Sequence, residues 1–153
     1  MNMDGQLRVF TELRHRELYG NLKVLGVVTD FHDLFFVCAS LGFSRDLRQP
    51  FVKKDERFWS RTITPAEWAC YYAMVLGRHG YNVAAIKDDK IVLSEVEEFA
   101  NAGMRVLIDE FLNDYLVPAK KDSELQIAAA SSRELPKEFL HYVFAQGSQE
   151  GQN

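Results

Sequence analysis

Four histidines, His15, His32, His79 and His141, are the side chains of this sequence best suited to proton transfer or metal ligation. None lies in an HxxxH or HxH spacing, and Cys38 and Cys70 form no CxxC pair, so no metal-ligand set is legible. His32 and Asp33 are adjacent, which on a helix turns them to different sides. An acid/base role there needs partners from elsewhere in the chain. The phosphate-binding patterns GxGxxG and GxxxxGKS/T and the nucleophile elbow GxSxG do not occur. The acidic stretch from Asp88 to Asp114 could hold a divalent cation, but carboxylates so placed also favour helix N-termini and coat a solvated face, which is the expectation here. No catalytic residue, no metal and no cofactor is expected.

A different chemistry is concentrated between residues 45 and 61. Arg45, Arg48, Lys53, Lys54, Arg57 and Arg61 stand against Asp46, Asp55 and Glu56, a local net charge of 6 − 3 = +3 in a chain of net charge −4. Phe43, Phe51, Phe58 and Trp59 are interleaved with them. Guanidinium forks suit phosphate oxygens, and aromatic rings suit stacking on bases or packing beneath a loop. The six cations are therefore the candidate nucleic-acid-binding residues. The competing expectation is a solvated loop whose aromatics anchor it to the core.

The elements that would carry these groups read as mainly helical. With 153 residues, 47% apolar and 26% charged, the chain has the composition of one globular domain. Residues 6–19 space Leu7, Phe10, Leu13 and Leu18 like an amphipathic helix. Thr29 or Asp30 caps the next, whose face is Phe31, Leu34, Phe35, Cys38 and Leu41, with Gly42 placed as its C-terminal cap. Pro50 marks residues 43–61 as a loop or irregular connection. Thr64-Pro65-Ala66-Glu67 is a capping box with proline at the first helical position. Residues 82–93 read as a small β-hairpin or as a helix end and loop. Ser94-Glu95-Val96-Glu97 is a second capping box, opening a helix that Pro118 ends. Gly103 inside it costs about 1 kcal/mol against Ala, unless another helix approaches closely there. Asp122 or Ser123 caps a helix through Glu134, and Pro136 opens a last one with Phe139, Leu140, Val143 and Phe144 on its inner side. The expected fold is a mainly α, single helical domain of five or six helices over residues 1–146, with a frayed, disordered tail over 147–153. Both cysteines are expected to be small buried hydrophobes.

Two stretches carry a family resemblance. Thr29-Asp30-Phe31-His32-Asp33-Leu34-Phe35-Phe36-Val37-Cys38-Ala39-Ser40-Leu41-Gly42-Phe43 resembles a "dlFxxaaalGy" helix followed by a basic turn and a proline. Glu97-Glu98-Phe99-Ala100-Asn101-Ala102-Gly103-Met104 resembles an "EEYANAG" segment. Together they resemble the small accessory proteins of DNA phosphorothioation (Dnd) gene clusters, type 4-like, over residues 15–115. Those clusters replace a non-bridging phosphate oxygen of DNA with sulfur and use the mark in defence against foreign DNA. The resemblance implies a setting and no transferable catalytic residue.

The expectation is thus a non-enzymatic accessory protein of a DNA-modification or phage-defence system. The alternative is a small helical adaptor or regulator without nucleic-acid contact. The candidate partners are DNA, protein components of a modification or restriction complex, and a second copy of the chain. Met1–Gly5 has no basic region leading into an apolar run, and the longest apolar stretch, Leu34–Ala39, is far short of the ~18–20 residues of a membrane span. A cytoplasmic protein with no membrane partner is expected.

Overall fold

A computed structural model of the chain describes residues 1–118, 124–128 and 133–150. Its spine is two helices, α2 (Phe31–Ser44) and α4 (Asp89–Glu110), packed along each other. Helix α2 buries Leu34, Phe35, Cys38, Ala39, Leu41 and Gly42, and α4 answers with Val92, Val96, Phe99, Gly103 and Leu107. The crossing is close because both helices lack a side chain at the contact. A Cβ on Gly42 would overlap the Phe99 carbonyl oxygen, and one on Gly103 would overlap the Cys38 carbonyl oxygen. Gly103 thus has the close packing its position suggested. Gly42 does not end α2 as expected, because the helix runs on to Ser44. The left-handed residue is Asp46 (φ 54°), with Leu47 N–H donating to the Gly42 carbonyl at 2.8 Å.

Around this spine lie α1 (Arg16–Val24), α3 (Pro65–Arg78) and α5 (Leu135–Glu150). The fold is mainly α with two small antiparallel sheets: β1 (Arg8–Glu12) with β2 (Lys54–Trp59), and β3 (Leu116–Pro118) with β4 (Leu125–Ile127). The first sheet corrects part of two expectations: residues 8–12 of the helix expected over 6–19 form β1, and residues 54–59 of the loop expected over 43–61 form β2, while 45–53 are the irregular connection that was expected. In β1 Val9 and Thr11 alternate inward, and opposite Val9 lies Phe58, whose ring meets Phe35 of α2 edge-on at 5.3 Å. Burying that β-branched, aromatic ladder on the spine outweighs the weaker helical spacing of Leu7, Phe10 and Leu13.

Two start signals have different fates. At α3 the capping box forms as its sequence dictates: Glu67 N–H donates to Thr64 Oγ1 at 3.2 Å, and Thr64 N–H donates to Glu67 Oε1 at 2.9 Å. Ser94 is not a cap. Helix α4 begins a turn and a half earlier, where Asp88 accepts from Lys90 N–H at 2.9 Å. Residues 82–93 are therefore not a hairpin. Val83–Ile86 form one 3-10 turn, and Ile91, Val92 and Leu93 are already helical.

Four further corrections concern the ends and the sulfurs. Residues 125–127 form a strand where a helix from Asp122 or Ser123 was expected, while 119–123 and 129–132 lie outside the described residues. Helix α5 continues to Glu150, so residues 147–150 are helical where a tail was expected, and 151–153 lie outside the described residues. It buries Leu135 and Phe139, whereas Leu140 and Phe144 are exposed. Cys38 is buried as expected but Cys70 is exposed, and both are free thiols. No described helix is long and apolar enough to cross a membrane.

Candidate nucleic-acid interface

The basic segment runs from the end of α2, past Pro50, into β2, and the structure divides its six cations into two groups. Three arginines are tied to carboxylates. Arg45 forks onto Glu110 at 2.6 and 2.9 Å and donates to Gln146 Oε1 at 2.8 Å, joining the ends of α2, α4 and α5. Tyr142 O–H donates to the same Glu110 at 2.8 Å. The Arg45 hydrogen bond holds the Glu110 carboxyl below the usual carboxylate range. Arg48 pairs with Glu98 at 2.7 Å and Glu95 at 3.6 Å, and its guanidinium lies 5.8 Å from the Phe99 ring. Its hydrogen bond to Glu98 raises its pKa further above neutrality.

Arg57 is the third, and its side chain is only 6% exposed. It donates to Thr11 Oγ1 and to Asp55 Oδ2, each at 2.9 Å, and lies 5.4 Å from the Tyr19 ring. Burial lowers its pKa, with Asp55 opposing the effect. These three arginines hold elements together and present few free donors.

Lys53, Lys54 and Arg61 form the other group. All three are exposed, and among the described residues none has a carboxylate within ion-pair distance. The Lys54 ammonium lies 4.5 Å from the centre of the Phe10 ring. Arg61 lies 5.3 Å from the centre of the Trp59 ring, and Arg8, from β1, lies 4.5 Å from the same ring. Trp59 is 38% exposed, whereas Phe58, its neighbour in β2, is buried in the core. Strand alternation decides this: one ring anchors the sheet and the next faces outward beside two guanidiniums.

Counting charge within residues 45–61 missed what α4 brings to them. The partners of Arg45 and Arg48 are Glu110, Glu98 and Glu95, all on the acidic helix, so the acidic stretch neutralises two of the segment's six cations. Nor is that stretch only a solvated face. Asp89, Glu95 and Glu97 are buried. Asp89 accepts from Tyr72 O–H at 2.7 Å and from the backbone of Asn2 and Asp4, pinning the N-terminus. Glu97 accepts from Phe10 N–H at 2.6 Å, and burial pushes its carboxyl up to about 7.

The adjacent His32 and Asp33 do acquire a partner from elsewhere. His32 Nδ1 lies 2.9 Å from Glu67 Oε1 and 3.6 Å from Asp33 Oδ1, and its Nε2 lies 3.8 Å from Asp30. Asp30, His32 and Asp33 are the one group among the described residues whose ligand atoms gather closely enough for a metal ion. Each carboxylate already has backbone work. Asp30 and Asp33 form the capping box of α2, and Glu67 that of α3. The imidazole thus bridges two helix starts.

No protein-family model, no curated protein and no solved structure matches this chain.

Proposed function

We propose that this chain is a non-catalytic accessory protein of a bacterial DNA-modification or phage-defence system of the phosphorothioation type. It acts in the cytoplasm by contact with DNA, with a protein component of such a complex, or with both. The setting rests on the resemblance of residues 29–43 and 97–104. The observation that supports DNA contact is the exposed cations at the two ends of β2, all without carboxylate partners: Lys53 and Lys54 at its start, and Arg61 just past its end, beside a Trp59 ring shared by Arg61 and Arg8. Cations supply phosphate affinity, and the outward indole holds Arg61 in place by a cation–π contact. The contact is therefore narrower than the six cations of the segment: Arg45, Arg48 and Arg57 position elements, while Lys53, Lys54 and Arg61 face the partner.

The second reading, a helical adaptor without nucleic-acid contact, has its own support. The outer face of α5 leaves Leu140 53% and Phe144 72% exposed. Beside it a groove of about 200 Å³ runs between α2 and α5, lined by Phe36, Val37 and Val143. Exposed apolar side chains around a groove suit a protein partner.

Fluorescence anisotropy of labelled duplex DNA, plain and phosphorothioated, titrated across a salt series, separates the two. Under the first reading binding weakens with salt, and the Lys53→Gln/Lys54→Gln/Arg61→Gln triple variant flattens the logarithmic salt slope by roughly 2–3. Preference for the sulfur-bearing duplex would tie the contact to phosphorothioation. Absence of binding at low salt would sink direct DNA contact and leave the adaptor reading.

A further inference from the structure

A cleft of about 310 Å³ opens between the end of β1, the Gln49–Val52 stretch and the middle of α4, with Leu125 of β4 at its edge. Its wall is firmly built. Glu12, itself buried, accepts from Val52 N–H at 3.1 Å and from Lys53 N–H at 3.0 Å. Asn101 donates from its amide to the carbonyls of Gln49 at 3.0 Å and Pro50 at 3.3 Å.

Three nitrogen-bearing side chains that line this cleft have no hydrogen-bond or ion-pair partner among the described residues. His15 is only 7% exposed, yet its ring has no hydrogen-bond partner among the described residues. Arg14 and Arg105 likewise have neither an ion pair nor a hydrogen bond there. This contrasts with Arg45, Arg48 and Arg57, all engaged by carboxylates. Two unpaired guanidiniums at the same opening are a fork for an oxyanion.

We propose that this cleft binds a small phosphomonoester, its phosphate held by Arg14 and Arg105 with the His15 ring as third donor. The organic part lies against Val52, Ile108 and Leu125. Three separate donor groups match three terminal phosphate oxygens better than the two oxygens of a carboxylate. The volume suits a small metabolite and is at the lower end for ligand sites. Glu12 and Asp109 also face the opening, so with His15 neutral its four charged groups cancel. A phosphate dianion therefore brings the charge that favours protonation of His15. Without ligand, burial first, and then the Arg14 and Arg57 charges, hold His15 down at about 4. Binding should raise it and be accompanied by proton uptake.

The test is a titration of the full chain with inorganic phosphate, phenyl phosphate and benzoate, followed through the His15 ring resonances by NMR and by calorimetry in two buffers. Phenyl phosphate should give a saturable His15 shift with proton uptake and bind more tightly than inorganic phosphate. Arg14→Gln and Arg105→Gln, both at exposed positions, should each weaken it roughly tenfold while the melting temperature stays put. No saturable His15 shift, or affinity unchanged in both variants, would overturn the site. Benzoate binding as tightly as phenyl phosphate would overturn the phosphate assignment. Displacement of phenyl phosphate by duplex DNA lacking terminal phosphates would give the cleft to the nucleic-acid backbone and overturn the small-molecule ligand.

Discussion

Gly103 on α4 sits so close to the Cys38 carbonyl of α2 that the space for even one methyl group is filled by the partner's backbone. Gly42 stands in the same relation to Phe99, in the opposite direction. The two glycines make the crossing reciprocal. Backbone, unlike the end of a flexible side chain, cannot step aside locally, so added atoms must separate the two helices at the centre of the core.

That relationship sets the sign of a glycine-to-alanine series. Helix propensity alone favours Ala by about 1 kcal/mol at each interior position. At Gly20, inside α1, a Cβ would meet nothing within 4 Å, so Gly20→Ala should stabilise by roughly 0.5–1 kcal/mol. At Gly42 and Gly103 overpacking wins, and each Ala variant should lose roughly 2–3 kcal/mol or more. Urea denaturation of the three variants measures this. A stabilising Gly103→Ala would mean the helices are not in this close contact.

Arg45 should behave as a structural residue. It draws Glu110 and Gln146 together across three helix ends, but both side chains of the ion pair are 36% exposed, so screening keeps their coupling small. A double-mutant cycle of Arg45→Gln with Glu110→Gln should return about 0.5–1 kcal/mol, falling in high salt. DNA binding by Arg45→Gln, read by anisotropy, should match the parent chain. A loss of affinity as large as that of the Lys53/Lys54/Arg61 variant would return Arg45 to the interface.

Glu67 should matter more than the residue it caps. Thr64→Ala removes one acceptor for a helix N–H and should cost about 1 kcal/mol. Glu67 accepts from Thr64 N–H and also lies 2.9 Å from His32 Nδ1, so Glu67→Ala strips two partners at once. Thermal unfolding should show Glu67→Ala destabilised by roughly 2 kcal/mol, beyond Thr64→Ala. Equal losses would mean that the His32 contact adds nothing.

What the sequence disclosed and what it hid divide by range. The Thr64 cap, the apolar face of α2 and the close approach at Gly103 are written within a few residues and were legible. The β1–β2 pairing was not, because Val9 meets Phe58 only when the spine brings them together, and Leu7, Phe10 and Leu13 mimic a helical stripe. Ser94 imitated a helix start although Asp88 supplies one earlier, since a charged run such as Lys87–Lys90 resembles a turn as much as a first helical turn. The candidate interface was legible as composition but not as surface. A local charge count cannot see Glu98 and Glu110 arriving from α4 to occupy Arg48 and Arg45. His15, Arg14 and Arg105 share a cleft but not a spacing.

The pH dependence of stability should expose Glu97 and His15 as opposing groups. Burial raises Glu97 from 4.5 to about 7 in the folded chain, more than the Phe10 N–H and Lys54 lower it. The folded state therefore holds the proton more tightly than the unfolded one. That contribution is complete below about pH 4.5 and is lost as pH rises through 7. His15 moves the other way, down from 6.5 to about 4, so its neutral form is favoured on folding and stability rises with pH across that interval. Over the overlap the two slopes offset each other, and the parent chain alone would hide both. Glu97→Gln keeps an acceptor for Phe10 N–H and removes the titration. Relative to the parent it should gain on the order of 2–3 kcal/mol between pH 4.5 and 8, and its own curve should show the unmasked His15 rise. Denaturant unfolding of both chains at half-unit pH intervals measures the difference, in which all other titrating groups cancel. A difference flat with pH would mean Glu97 stays ionised in the fold, its charge met by Lys54 and the Phe10 N–H.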